Sequence, residues 1–128
     1  MITRLPVDPA DDTPVARQIA EGLRVLLARG TLTPGEDLPS SRALASHLGV
    51  HFNTVAQAYR ELAKEGWLDL TRKRGTRVLK RRMPRPAPGL REALRFRAER
   101  LAARYWAAGL SIADIRQALA QGVDGDDD

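Results

Sequence analysis

Residues 38–66 read LPSSRALASHLGVHFNTVAQAYRELAKEG. Two short helical patterns lie in this stretch, separated by Gly49-Val50. Before the break, Leu44, Ala45 and Leu48 share one helical face. After it, Val55, Ala58, Tyr59 and Leu62 fall at i, i+3, i+4 and i+7, the stripe of a helix with one side buried. Ser40 can cap the first helix, because its hydroxyl can accept from an orphan backbone N–H. Gly49 suits the left-handed residue that ends it. His51 falls at the cap position of the second helix, where histidine is not a favoured residue.

Two short helices joined by a tight glycine-containing turn are the sequence form of a helix-turn-helix. In that motif the second helix enters the DNA major groove and the first braces it. The face opposite the apolar stripe carries Asn53, Ala56, Gln57, Arg60 and Lys64. Asparagine and glutamine can pair bidentately with adenine, and arginine with guanine or phosphate. A solvated polar face on an ordinary helical hairpin would look the same, so the flanking segments decide the reading.

After Gly66, residues 67–71 alternate well enough for a short strand, 72–75 read as a turn, and 76–79 can return as the partner strand. A hairpin tipped by Arg72, Lys73, Arg74 and Gly75 directly after a helix-turn-helix is a winged helix. Long cations on a projecting loop gain most from contact with a phosphate backbone. Lysine and arginine at a hairpin edge also deter aggregation, which is the competing reading. Upstream, Thr13-Pro14 reads as a hydroxyl cap followed by proline at the first helical position. Val15, Ile19, Leu23, Leu26 and Leu27 then follow at helical spacing, and Gly30 closes the helix.

The chain therefore divides into an amino-terminal arm (1–12), a winged helix-turn-helix (13–80), a basic Pro-rich linker (81–89), a two-helix unit (90–122) and an acidic tail (123–128). The fold class expected is mainly α (α+β), a winged helix-turn-helix with a two-helix carboxy-terminal dimerisation unit. Leu90, Leu94, Leu101 and Tyr105 mark the first helix of that unit, and Ile112, Ile115 and Leu119 the second. Ser111 to Asp114 resembles a capping box. About 30 residues of helix cannot bury a core of their own. Their apolar face needs a partner, and the Pro-rich linker favours a second copy. A two-fold dimer presents two reading helices, which suits inverted half-sites.

Charge follows the same division. Of the net +5, residues 51–89 hold ten Arg and Lys against three acids, +7, while the segments on either side each come to −1. A localised positive patch is the electrostatic footprint of phosphate binding. The 128 residues contain no cysteine, which excludes a disulfide framework and thiolate chemistry. No apolar run is long enough to span a membrane, and no secretory pattern opens the chain. A cytoplasmic location follows by elimination. No enzyme is expected: His47 and His51 stand i, i+4, but Gly49-Val50 breaks the helix between them, and no third ligand or nucleophile motif appears. No metal and no cofactor are expected, and nothing assigns a small-molecule effector.

The ordered runs TPVARQIAEGL, LTPGEDLPSSRALASHLGV, NTVAQAYRELAKEGWL and RGTRV closely resemble the GntR family of bacterial transcription regulators. The helical unit LREALRF…GLSIADIRQAL is similar to its YtrA subfamily of small dimeric regulators, often repressors of transporter operons. The resemblance implies that Arg42 contacts DNA from the first motif helix. His51, Phe52, Asn53 and Thr54 match the start of the recognition helix, with Gln57 one turn on, and Gly75 matches the wing-tip glycine. With Ser41, Arg60, Arg72, Lys73, Arg74 and Thr76 these form the expected DNA-facing set. Phe52 stands where many members have arginine or proline, and Ala56 where some have a base-reading arginine. Guanine readout from those two positions is therefore absent. Phe52 could stack on a thymine methyl or pack at the helix start. The resulting expectation is a homodimeric regulator, a repressor, on a double-stranded operator. The alternative is a non-catalytic winged-helix module for protein interaction, which the clustered charge disfavours.

Overall fold

The computed structural model describes residues 5–72 and 75–123. In chain order it contains α1 (Val15–Arg29), β1 (Asp37–Leu38), α2 (Ser41–Leu48), α3 (Phe52–Lys64), β2 (Leu68–Asp69), β3 (Thr76–Val78), α4 (Leu90–Ala107) and α5 (Ile112–Val123). These elements form two compact units, divided between Arg81 and Arg82. Among the described residues no helix is long and apolar enough to cross a membrane.

In the first unit, α1, α2 and α3 bury their stripes against one another. Ile19, Ala20 and Leu23 of α1 meet Leu44 and Ala45 of α2 and Val55, Ala58, Tyr59 and Leu62 of α3 in one core. Removing this apolar surface from water is the main stabilising term. Local bonds fix where each helix begins. Ala43 N–H donates to Ser40 Oγ at 3.1 Å, the expected cap. Asn53 N–H donates to His51 Nδ1 at 3.1 Å, so the histidine caps α3 although the residue type disfavours it. The start of α1 differs from expectation. Its cap residue is Pro14, and no side chain caps the helix. Gln18 secures the approach instead, its Nε2 donating to the Thr13 carbonyl at 2.8 Å and its Oε1 accepting from Asp8 N–H at 2.8 Å.

The described part of the amino-terminal arm packs inward. Leu5 is 6% exposed and joins the core. It lies on Gly22 of α1, where an added Cβ would fall 2.7 Å from Leu5 Cδ1. A side chain at position 22 would require the Leu5 side chain to shift.

The sheet has the order β1-β3-β2, antiparallel throughout. β1 was not anticipated from the sequence. Leu38 pairs with Thr76, and Leu68 with Val78. These four side chains are buried. On the alternate register Asp37 and Asp69 both pair with Arg77. β2 stops sooner than the alternation suggested, because Asp69 Oδ1 accepts from both the N–H (2.9 Å) and the hydroxyl (2.6 Å) of Thr71 and turns the chain out of the strand.

In the second unit α5 packs on α4. Asp114 N–H donates to Ser111 Oγ at 3.1 Å, which caps α5. Gly109 takes φ +115° in the connection, a conformation open to glycine. Ile115 is buried, whereas Leu90, Leu94, Leu101, Tyr105, Ile112 and Leu119 stay exposed, Leu94 at 68%.

Candidate nucleic-acid interface

The turn between α2 and α3 is closed by backbone bonds. Gly49 adopts φ +73°, and Val50 N–H donates to the Ala45 carbonyl at 3.0 Å. The buried Tyr59 hydroxyl donates to the Pro39 carbonyl at 2.8 Å, tying the middle of α3 to the residue before the α2 cap. Burial pushes the Tyr59 phenol pKa up, so it stays a donor at any ordinary pH. On the other side Arg24 of α1 donates to both carboxylate oxygens of Glu65, from Nε to Oε1 at 3.1 Å and from Nη2 to Oε2. The guanidinium holds the Glu65 carboxyl below the usual carboxylate range. α3 is thus pinned from two directions, leaving one edge outward.

That edge carries Asn53, Gln57, Arg60 and Lys64, all exposed, while Thr54 and Ala56 are half-buried. Ser41, the first residue of α2, is half-buried, and Arg42 beside it is exposed. The Arg42 guanidinium carbon lies 4.2 Å from the Phe52 ring centroid. The rings of His51 and Phe52 are stacked at 4.6 Å with 27° between planes. Phe52 is half-buried and packs against the core. Of its two sequence readings, the structure takes packing at the helix start. Arg42, Phe52 and His51 form one cluster where the two motif helices meet.

On the wing, two members of the expected set have partners within the fold. Thr76 is 6% exposed, turned into the core beside Leu38, so its side chain offers nothing to a duplex. Arg72 is half-buried, and its Nη1 donates to Asp37 Oδ1 at 2.6 Å, with Arg77 Nε reaching the same oxygen at 3.4 Å. Both cations hold the Asp37 carboxyl below its ordinary pKa, Arg72 contributing more. Asp37 had no role in the sequence reading; only the strand β1 brings it opposite the wing. Gly75 is exposed at φ +73°, and a Cβ there would stand 3.5 Å from the Leu38 carbonyl. Lys73 and Arg74 lie outside the described residues. Among the described residues no group of three His, Cys, Asp or Glu side chains stands together as a metal site.

Residues 15–78 match the model of the gntR family of bacterial regulatory proteins. The chain belongs to the gntR family. Its similarity to the HTH-type transcriptional repressor YtrA of Bacillus subtilis is 40% identity over 72 residues, 56% of this chain and 55% of that protein. With the pyridoxine biosynthesis transcriptional regulator PdxR of Corynebacterium glutamicum it shares 45% identity over 80 residues, 61% of this chain and 18% of that one. This gntR chain therefore spans under a fifth of the length of one relative and about half of the other. A solved structure, YtrA from Sulfolobus acidocaldarius, described as a GntR-family transcription factor, superposes with a TM-score of 0.60. The identity is 37%, covering 77% of this chain and 97% of that one. The mainly helical winged helix-turn-helix expected from the sequence is the fold of this gntR chain.

Proposed function

We propose that the chain is a sequence-specific, DNA-binding transcription regulator acting in the cytoplasm as a repressor, bound as a homodimer to an operator with inverted half-sites. The observation that carries this reading is the exposed Asn53–Gln57–Arg60 edge of α3, set beside an exposed Arg42 on a rigidly pinned motif. Asparagine and glutamine supply donor and acceptor together for base edges, and the arginines supply phosphate or guanine contacts. Ser41, His51, Phe52 and Thr54 surround that edge. Gly75, with Lys73 and Arg74 outside the described residues, belongs to the wing contact with the backbone.

The second unit supports the dimer. Leu90, Leu94, Leu101 and Tyr105 run along α4 at steps of four, seven and four, and with Ile112 and Leu119 they are uncovered. Apolar surface on this scale in so small a unit favours pairing with a second copy. The repressor assignment follows the name of the Bacillus relative, and a transporter operon is the first target class to examine.

An electrophoretic mobility shift on DNA from the chain's own promoter region tests the reading, with sedimentation of the free protein beside it. Retention should persist against excess unrelated DNA, and the free protein should sediment as a dimer. Equal affinity for specific and random DNA would refute sequence specificity. A monomer on both DNA and solvent would refute the paired half-sites.

A further inference from the structure

We infer that the groove between the start of α1 and the outer side of α3 holds a phosphate of the DNA strand flanking the reading helix, with Arg17 as the cation that α1 contributes. This rests on the DNA-binding reading above and extends it to an element outside the helix-turn-helix. The groove encloses about 420 Å³. Pro14 at the cap and Ala16 and Arg17 in the first turn of α1 line one side, and Gln57, Arg60, Glu61 and Lys64 of α3 the other.

The electrostatics of this groove are one-sided. Arg17, Arg60 and Lys64 are exposed and form no ion pair with any described residue. Elsewhere in the same unit Arg24, Arg72 and Arg77 each have a carboxylate within 4 Å. The single acid in the groove, Glu61, has Oε1 3.7 Å from Arg24 Nη2 and is thereby partly neutralised. Arg60 and Lys64 stand i, i+4 on one helix face, a like-charge spacing that destabilises a helix in water. Arg17 brings a third positive charge to the same groove. An anion held among them relieves that repulsion.

Position identifies the anion. Gln57 belongs both to this groove and to the outward edge that carries Asn53, so the groove continues the reading surface. A helix lying in the major groove is bordered by the phosphates of both strands, and contacts to them set its register. Arginine and lysine side chains with an amide donor are the chemistry that takes a phosphodiester oxygen. An acidic protein segment would match the charge but would have no reason to share Gln57 with the reading edge.

Affinity of the full chain for an operator fragment and for unrelated DNA, measured from low to moderate salt, tests this. Each lost phosphate contact lowers the slope of log affinity against log salt by about 0.9. Arg17→Ala should lower it by that amount per bound subunit. It should weaken operator and unrelated DNA by the same factor, leaving their ratio unchanged, and Arg17→Lys should restore most of the slope. Arg17 is exposed, so circular dichroism should show the fold retained. Wild-type binding with an unchanged slope in Arg17→Ala overturns this inference alone. So does a loss confined to the operator. No salt-dependent binding by the wild-type chain overturns the DNA-binding reading as well.

Discussion

Truncating Phe52 should weaken DNA binding even though the ring faces the protein. Arg42 is exposed, and its guanidinium carbon sits 4.2 Å from the Phe52 ring centroid. A free arginine loses about 2 kcal/mol of rotamer freedom when fixed. The ring does part of that fixing before DNA arrives. A cation over an aromatic face at an exposed site contributes about 0.5–1 kcal/mol. Without the ring, ordering of Arg42 moves to the binding step at about that cost, roughly two- to fivefold in affinity per half-site. For the proposed dimer, two subunits on one operator would give about 1–2 kcal/mol, roughly five- to thirtyfold.

The assay is a double-mutant cycle read by fluorescence anisotropy on one operator fragment at fixed salt. Phe52→Leu is the better variant, because it keeps apolar bulk against the core and removes only the aromatic face. In the wild-type background it should cost the amount above. In an Arg42→Ala background it should cost almost nothing, since no guanidinium remains to be placed. Independent sites add to within about 0.3–0.5 kcal/mol. If the two substitutions add to that tolerance, the ring does not position Arg42 and the reasoning fails. Thermal melts of each variant separate loss of fold from loss of contact.

Three other outcomes follow from the packing. Tyr59→Phe leaves the Pro39 carbonyl without its donor and should cost about 1 kcal/mol, a fall of roughly 4–8 °C in the melting midpoint of the winged unit; an unchanged midpoint would mean water replaces the bond at no loss. Gly22→Ala adds helix propensity of about 1 kcal/mol, but its Cβ would fall 2.7 Å from Leu5 Cδ1, so the Leu5 side chain must shift and the single change should gain less than that. In a Leu5→Ala background the full gain should appear, and denaturant titration of the four proteins reports the difference; equal gains in both backgrounds would mean that Leu5 shifts at no cost. Glu65 has its carboxyl pKa depressed by Arg24, so the pair stabilises above the ordinary value of 4.5 and that contribution is lost as pH falls through the lowered folded-state pKa. The melting-point gap between wild type and Arg24→Gln should be full at neutral pH and shrink below pH 4.5; a constant gap would assign it to packing of the arginine stem.

The helix-turn-helix was legible because three independent signals coincide there. The stripe of Val55, Ala58, Tyr59 and Leu62, the serine at position 40 and the glycine at 49 each fix a different feature, and the structure places all of them where the spacing puts them. β1 was not legible, since a two-residue strand carries no periodicity. What makes Asp37 and Leu38 a strand is pairing with residues about 40 positions away. The burial of Thr76 follows from the same pairing. Leu5 packs inward over Gly22, and a helical glycine signals such a contact only weakly. His51 caps α3 through a ring nitrogen, a route that preferences for short polar side chains do not rank.

Charge shows most plainly how a sequence count departs from a surface. Residues 51–89 hold the whole positive excess, which pointed to the second motif helix and the wing together. In the fold, Arg72 and Arg77 are both bound to Asp37, a carboxylate from the preceding segment. Arg81 has its guanidinium carbon 4.6 Å from the Trp67 ring centroid. Part of the counted charge is therefore already engaged in holding the wing base together. Conversely Arg17, from a segment with a net −1, joins Arg60 and Lys64 in one groove. Exposed pairs contribute little to stability, about 0–1 kcal/mol, so the ion pairs at the wing base do more to orient the hairpin than to hold the domain folded. The potential a duplex meets is set by which cations lack an internal partner, and in the described part of the winged unit Arg17, Arg60 and Lys64 place that attraction beside α3. Removing Asp37 would free two arginines at the wing base at once and shift that balance toward the hairpin, at the cost of the contact that fixes the wing's direction.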